Sequence, residues 1–461
     1  MSDRLDRECR GDVSEICRLA LPLFGASLVE AFCHLANRYF LSQAGDTALG
    51  AVLPAGMLAG VLTTFLSGVV GYSSTFVAQA HGTGRPEVAV RSFAQALWIV
   101  LATLPLFVLA ALFGDAVFDA VGHALPLRAD EKAYFRLSQL AGVGTLLTAA
   151  CAGFFTGLGR TRLVGLCLGA GPLVNVLLDW LLIRGRGSIP ALGIQGAGLA
   201  AVVAQLVPGL LLVGFAVRDP LLIQARKRGA LTFDQTLVRR LLRFGVPLGI
   251  GNLTCTATFA AFSLALGRLG GLPLGTANVV FAILNVGFVA LTAIGNAVAI
   301  VAGRSWGRQD RQALSRCFCS GVLCSGVVGA LFFCVVLLLW PAFGAFFVPA
   351  GIQGSASVFV DLGTLLLWLA LLKFPSECAL MLFGGLLRGV GDTRYMTVSR
   401  LLSELFVWMP LTAGLSLCHA DIVWFWLSMP VNLTIVAVAY GLRWKSGKWM
   451  RHDLFGWKKQ G

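Results

Sequence analysis

The stretch RLALPL at residues 18–23 recurs 225 residues later as RFGVPL at residues 243–248. A second motif, GLGRTR at 157–162, recurs at an offset of 232 as GVGDTR at 389–394. Each pair occupies the same place within a run of six long apolar segments. Ordered matches of Gly, Pro, Thr and Arg arise by accident less easily than matches of apolar residues. The sequence therefore predicts two homologous halves.

Long apolar segments separated by short polar breaks fill the chain. Of its 461 residues, 57% are hydrophobic and 13% are charged, and the mean hydropathy is +0.81. An average soluble domain is roughly 45–50% apolar and ~25% charged, so this composition excludes a soluble enzyme. A helix needs ~20 apolar residues to cross the ~30 Å hydrocarbon core of a bilayer, and twelve segments meet that requirement. The predicted spans are 16–42, 49–78, 92–113, 137–158, 163–183, 193–217, 244–267, 276–303, 317–348, 362–387, 398–418 and 422–442.

These spans predict an all-α integral membrane protein, with twelve transmembrane helices in two six-helix lobes. Because six is an even number, both lobes share one orientation, and a pseudo-two-fold axis along the membrane normal relates them. The predicted lobes are 1–217 and 244–442, joined by a basic linker at 218–243 and followed by a basic tail at 443–461. Such a layout is typical of alternating access, with the substrate site between the lobes.

The basic residues predict the orientation of the chain. Of the 36 Lys and Arg, 26 lie in segments on the side of the N-terminus, six lie in the opposite loops, and four lie within or at the start of spans. Positively charged loops stay in the cytoplasm, so both termini are expected there, in a plasma membrane or a bacterial inner membrane. The net charge of +14 is spread between apolar runs rather than gathered on one face, and no nucleic-acid partner is expected.

Four carboxylates fall inside predicted spans, where each needs a physical reason because a charge at mid-bilayer costs about 2.5–3.5 kcal/mol on insertion scales. They are Glu30, Asp179, Glu377 and Glu404. Asp179 has no base within a helical turn, and its polar neighbour on the helix is Asn175. Desolvation favours the protonated form of such a carboxylate, and its oxygens also suit a sodium ion. Asp179 is therefore the leading candidate for coupling transport to protons or to sodium.

The other three carboxylates have basic neighbours at helical spacing. In the first span Glu30, His34, Asn37 and Arg38 share one helical face, which fits a structural polar ladder as well as a functional site. In the second half, Lys373 with Glu377 and Arg400 with Glu404 are i,i+4 pairs that neutralise themselves. A structural role is the default interpretation for both pairs.

No pattern for covalent chemistry is present in the sequence. Phosphate-binding loops, paired zinc ligands and a credible catalytic triad are absent, so neither enzymatic activity nor a cofactor is expected. The 12 Cys lie mostly in apolar stretches without metal-ligand spacing. An ion gradient is the expected energy source, since no loop is long enough to hold a nucleotide-hydrolysing domain.

Across nearly its whole length the chain resembles the multidrug and toxic compound extrusion (MATE) family of twelve-span antiporters. RLALPL opens the first half in the manner of that family, and NVLLDWLLI at 175–183 is similar to its fifth-span Asn-x-x-x-Asp motif. GIQGAGLAAVVAQ at 193–205 is similar to the Gly-rich start of its sixth span, and LLRGVGDTR at 386–394 matches its segment after the tenth span.

The resemblance implies export of organic cations or other amphipathic compounds, driven by inward flow of protons or sodium. It places Asn175 and Asp179 at the N-lobe ion site and Glu377 near an acidic position of the tenth span. The chain departs from the pattern where family members have a first-span Asp and a seventh-span Glu, because it carries Asn37 and Cys255 there. We hypothesise that Glu30 supplies the missing first-span carboxylate.

In the leading interpretation, ion binding at Asp179, helped by Asn175, Glu30 and Asn37, lowers the affinity for substrate. The expected partners are amphipathic small molecules and the lipid bilayer, and no obligatory protein partner is implied. The predicted substrate-cavity residues are Glu377, His34, Phe32, Phe262, Phe281 and Phe288. A flippase for lipid-linked or other amphiphilic substrates is the alternative. It requires a cationic cavity, for which Arg38, Lys373 and Arg400 are available.

Overall fold

The computed structural model describes residues 2–42, 46–121, 124–185, 190–344, 356–451 and 454–455. Within these ranges the secondary structure is helical throughout and includes no strand. The α-helices are α1 (Ser2–Ser42), α2 (Asp46–Gly71), α3 (Ser73–Gly82), α4 (Pro86–Phe113), α5 (Asp115–Val121), α6 (Leu125–Gly157), α7 (Thr161–Leu182), α8 (Gly193–Val217), α9 (Pro220–Lys227), α10 (Gln235–Gly267), α11 (Gly271–Gly307), α12 (Arg311–Gly344), α13 (Ala356–Val390), α14 (Thr393–Ser403), α15 (Met409–Leu417) and α16 (Ile422–Lys445).

Eleven helices in the described ranges are long and apolar enough to cross a membrane. The twelfth predicted span is composite: α14 and α15 are joined by a π-helical turn at Glu404–Trp408. Pro410 follows this turn and has no N–H to donate, and the Met409 N–H bonds to the Glu404 carbonyl five residues back. From Thr393 to Leu417 the segment rises about 37 Å at ~1.5 Å per residue, enough to span a bilayer. The twelve-span helical architecture is confirmed.

The fourth span begins earlier than the sequence predicted. Helix α6 starts at Leu125 rather than near residue 137, although its first turns are rich in charge. On one face of this extension, Arg128 and Lys132 bind Asp119 at 3.4 and 2.7 Å. Tyr134 on α6 packs into apolar clusters on another face. An amphipathic helix start with paired charges therefore resembled a loop.

The chain forms two compact units. One consists of Leu21–Ile250, and the other of Met1–Ala20 together with Gly251–Gly461. The boundaries fall inside α1 and inside α10, so each of these helices contributes residues to both units. Below, the first is called the N-terminal unit and the second the C-terminal unit.

Each unit repeats the same packing pattern. In the N-terminal unit α6 is central and packs against α2, α4 and α8. In the C-terminal unit α13 is central and packs against α11, α12 and α16. These helices hold corresponding places in the two sets of six spans. The predicted division into homologous halves is therefore visible in the packing as well as in the sequence.

Candidate functional site

Three polar side chains of the N-terminal unit meet between α1 and α7. The side-chain amides of Asn37 and Asn175 are in direct contact. In the orientation that satisfies the Asn37 amide, its nitrogen donates to Asp179 Oδ2 at 2.8 Å and to the Cys33 carbonyl oxygen at 3.1 Å. The four-residue spacing of Asn175 and Asp179 puts both on one face of α7, and Asn37 reaches them from α1. Three of the four predicted ion-site residues are thus in direct contact.

Asp179 is a buried carboxylate with an unused acceptor. Its side chain is 3% exposed, and among the described residues Oδ1 has no hydrogen-bond partner. None of the ion pairs between described side chains involves this carboxylate. A buried carboxylate is costly while it is charged, and binding a proton or a cation removes that cost. Carboxylate and amide oxygens together also form a donor set that hard cations accept.

Two further buried or partly buried residues, both on α6 and one of them near Asp179, were missed by sequence reasoning. Tyr134 on α6 lies within electrostatic range of Asp179 and packs beside Ile183, just after α7. Glu131, one turn earlier, is completely buried. Both belong to the helix extension that the sequence suggested was a loop. The Glu-x-x-Tyr spacing on one helical face is the signal that could have identified them.

The remaining first-span candidates do not share this environment. Glu30 is exposed, in contrast to Asp179, and the idea that it replaces a first-span carboxylate stays a hypothesis. The side chains of His34 and Arg38 lie outside the described residues, so the predicted polar ladder stays a prediction.

The buried carboxylates of the C-terminal unit each carry their own cation. Glu377, 7% exposed, is 3.5 Å from Lys373 Nζ. Glu404, 2% exposed, accepts from Arg400 Nε at 2.7 Å. Arg400 Nη2 also donates to Cys255 Sγ at 2.7 Å, which ties α14 to α10. The predicted i,i+4 pairs are therefore both formed.

The four aromatic residues predicted to line the cavity occupy different environments. Phe32 is 69% exposed and Phe288 is also exposed. Phe281 is partly buried, with its ring 4.4 Å from that of Trp426. Phe262 is only 1% exposed and stacks on Trp408 at 5.3 Å between ring centroids. Phe262 is enclosed by other aromatic rings and supports the core, so its role in a substrate cavity stays a prediction.

The repeated loop motifs form the same turn with opposite charge. Gly159 and Gly391, equivalent at the 232-residue offset, have positive φ angles of +73° and +102°, a conformation that glycine adopts most readily. The residue after Gly159 is Arg160, which pairs with Asp219. The residue after Gly391 is Asp392, which accepts from Arg443 Nε at 2.6 Å. Each half thus uses an Arg–Asp pair to hold this loop to the end of its sixth span.

The polar groups of the N-terminal unit resemble an ion-binding site more than a catalytic site. No group of three or more His, Cys, Asp or Glu side chains within the described ranges is arranged to hold a metal ion. One buried carboxylate with two amides can bind and release a proton or a small cation, but it includes no nucleophile activated by a base.

Known proteins are similar to both halves of the chain. The MatE family model matches residues 22–181 and, 225 residues further on, residues 247–413. The chain is 28% identical over 385 residues to a "Probable multidrug resistance protein NorM" of Bradyrhizobium diazoefficiens, covering 82% of this chain and 81% of the relative. A protein of the same name from Agrobacterium fabrum is 24% identical over 450 residues, 92% of each chain.

Solved structures share the fold. A crystal structure of "MATE in complex with MaL6" superimposes with a TM-score of 0.82 at 16% identity, covering 96% of this chain and 98% of the other. A "multidrug resistance MATE family transporter of the MOP superfamily" in an outward-facing conformation gives a TM-score of 0.79 at 18% identity, covering 96% and 97%. Since one family model accounts for most of both halves, the protein belongs to the MatE (multidrug and toxic compound extrusion) family.

Proposed function

We propose that the protein is a secondary active transporter that exports amphipathic organic compounds, organic cations among them, in exchange for protons or sodium. The single observation that carries the proposal is Asp179, a buried carboxylate of the N-terminal unit with an unused oxygen and two amides beside it. The curated relatives named as multidrug resistance proteins support export of drug-like compounds. In this proposal the protein acts without a cofactor, in a plasma or bacterial inner membrane, with both termini cytoplasmic.

The contrast between the two units supports coupling through Asp179. Glu377 and Glu404 are neutralised by cations built into their own helices. A proton or sodium ion arriving there would compete with a tethered Lys or Arg. Asp179 has no ion pair with a described side chain, so an external ion gains the full benefit of neutralising it. Of these three carboxylates, it has the most to gain from binding an ion.

The proposed mechanism follows from this charge change. A proton or sodium ion on Asp179 neutralises the carboxylate and alters its hydrogen bond from the Asn37 amide. The resulting rearrangement of α1 against α7 favours the state with low substrate affinity. By thermodynamic reciprocity, a substrate that binds best to the ion-free state promotes release of the ion. Export and ion entry are thereby linked without covalent chemistry.

The test uses purified protein in liposomes that carry a pH gradient, with a fluorescent organic cation as substrate. We expect the cation to dissipate the gradient with the wild type and with Asp361→Asn, the control at an exposed carboxylate of α13. Asp179→Asn should abolish the exchange while keeping the size-exclusion profile of the wild type. Asp179→Glu keeps a carboxylate and should retain part of the exchange activity.

Other outcomes separate the alternatives. Exchange that requires a sodium gradient assigns sodium as the coupling ion and keeps the site. Equal exchange by wild type and Asp179→Asn refutes coupling through this residue. Transbilayer movement of a labelled anionic lipid, without any ion exchange, would favour the flippase. That function is disfavoured by the pairing of Lys373 and Arg400 with glutamates, since a diphosphate would have to displace both partners.

A further inference from the structure

The first turns of α1 are attached to α11 and α12 of the same unit. Asp12 Oδ2 accepts from Arg316 Nε at 3.3 Å, and Glu15 Oε1 accepts from Arg304 Nη1 at 3.3 Å. The segment ends at Ala20, after which α1 continues as part of the N-terminal unit. These ion pairs fix the beginning of α1 within the C-terminal unit, whereas the rest of the helix belongs to the N-terminal unit.

A pair of thiols lies at the same contact. Cys17 Sγ of α1 is 3.9 Å from Cys324 Sγ of α12. Cys17 is exposed, whereas Cys324 is buried. Eleven cysteines are described, and among them this is the pair whose sulfur atoms are in contact. Disulfide formation would shorten this separation to ~2.05 Å.

We propose that Cys17 and Cys324 are a reversible oxidation site, which forms a disulfide when the protein meets a peroxide. The exposed Cys17 thiolate attacks one peroxide oxygen, the O–O bond breaks, and Cys17 becomes a sulfenic acid as one water leaves. The Cys324 sulfur then attacks the sulfenic sulfur and displaces the second water. Two thiols and one hydrogen peroxide thus give one disulfide and two waters, and an added dithiol reverses the change.

The Cys17–Cys324 disulfide is expected to stop the transport cycle. This second step of the inference rests on the proposed function. Alternating access requires the two units to change their arrangement, and α1 has residues in both. Pro22 lies just beyond the boundary and lacks the N–H of a normal helical residue, so α1 is weakened at that point. Cys17 is three residues before the boundary. A covalent link to α12 prevents the first part of α1, up to Ala20, from sliding or tilting. The oxidised protein is therefore expected not to transport.

The chemical part is tested on reconstituted protein treated with hydrogen peroxide, quenched, denatured in SDS and labelled with a maleimide-polyethylene glycol. We expect loss of both thiols, their recovery with dithiothreitol, and one peptide linking Cys17 to Cys324 in the mass spectrum. Cys17→Ser and Cys324→Ser should each abolish the crosslink. Cys319→Ser, at an exposed cysteine of the same helix as Cys324, should leave it intact. A crosslink between other cysteines, or Cys17 oxidised without a crosslink, overturns the proposal.

The functional part is measured in the same liposomes as substrate–ion exchange. Peroxide should stop exchange in the wild type, dithiothreitol should restore it, and Cys17→Ser should continue to transport in peroxide. If the crosslink forms and exchange is unchanged, the proposed arrest is wrong. If the reduced wild type shows no exchange at all, the antiport proposal fails, while the crosslink itself is still decided by the mass spectrum.

Discussion

Replacing Arg443 with Gln removes the cation that faces a buried carboxylate at the end of the last helix. The Asp392 side chain is 1% exposed, and its partner Arg443 is 18% exposed. Breaking a buried ion pair by removing one member costs about 3–5 kcal/mol, because a buried charge loses its counter-ion. Arg443 also lies 4.7 Å above the Tyr395 ring, an interaction of ~0.5–1 kcal/mol at exposed sites. We expect Arg443→Gln to lower the free energy of unfolding by about 3 kcal/mol.

Replacing the other member of the pair, Asp392, should cost less free energy of unfolding. Asp392→Asn keeps an oxygen that can accept from Arg443, and the long Arg side chain can move its charge toward solvent. A loss of ~1 kcal/mol is expected, typical of a weakened hydrogen bond. The double variant should be more stable than the two single effects predict, since a neutral Asn loses no ion pair when Arg443 is replaced.

The assay is SDS-induced unfolding in mixed micelles, which returns a free energy for each variant. Arg443→Lys serves as the control, because it keeps the charge but loses the planar group that stacks on Tyr395. Equal losses for Arg443→Gln and Asp392→Asn, or fully additive effects in the double variant, would refute the reasoning from unequal burial.

Two further variants test packing and backbone geometry by the same assay. Phe262→Ala empties a site that is 1% exposed and should cost about 3–5 kcal/mol, while Phe32→Ala, 69% exposed, should stay within ~0.5 kcal/mol of the wild type; a small effect at Phe262 would contradict its assignment to the core. Gly391→Ala, at φ +102°, should cost more than Gly159→Ala, at φ +73°, because only the second angle is near the left-handed region that side chains tolerate at ~1–2 kcal/mol; the opposite order would count against a conformational role for Gly391.

Much of this architecture could be predicted from the sequence because a bilayer leaves few choices. Helix lengths follow from its thickness, and α8 occupies the predicted residues 193–217. The i,i+4 spacing of Asn175 and Asp179 already placed them on one face of a helix. The repeat, first seen in RLALPL and RFGVPL, also reappears in the starts of the two family matches. Local periodicity and self-similarity were sufficient for these features.

Features that depend on distant partners could not be predicted. The start of α6 contains several charges, and their partners Asp115 and Asp119 lie on the preceding short helix. Tyr134 and Glu131 lie in this part of α6, so they were not identified from the sequence either. The contact of Asn37 with Asp179 joins helices far apart in sequence, and spacing along one helix carries no information about it. The burial of Phe262 was not predicted either, because the sequence pattern of an aromatic residue on an apolar helix is the same whether the ring faces a cavity or a core.

The two loop pairs differ in which partner belongs to the loop motif, but not in which partner is buried. In the first half the buried acid is Asp219, after the sixth span, and in the second it is Asp392, in the loop motif itself. In both, the acid is the enclosed member and the Arg is the more exposed one. A short carboxylate can be fully enclosed, whereas a long guanidinium side chain can reach out of the protein.

Exchanging the charges within one pair should therefore fail to restore it. In an Arg160→Asp, Asp219→Arg variant, a long side chain has to occupy an enclosed site. The swap also removes the carboxylate that accepts from the Leu221 N–H at 2.9 Å and caps α9, a loss of ~1 kcal/mol by itself. We expect the double variant to unfold no later than Asp219→Asn alone, with Arg160→Lys as the mild control. Recovery of wild-type stability by the swap would show that net charge, and not the fit of a short acid, holds the loop.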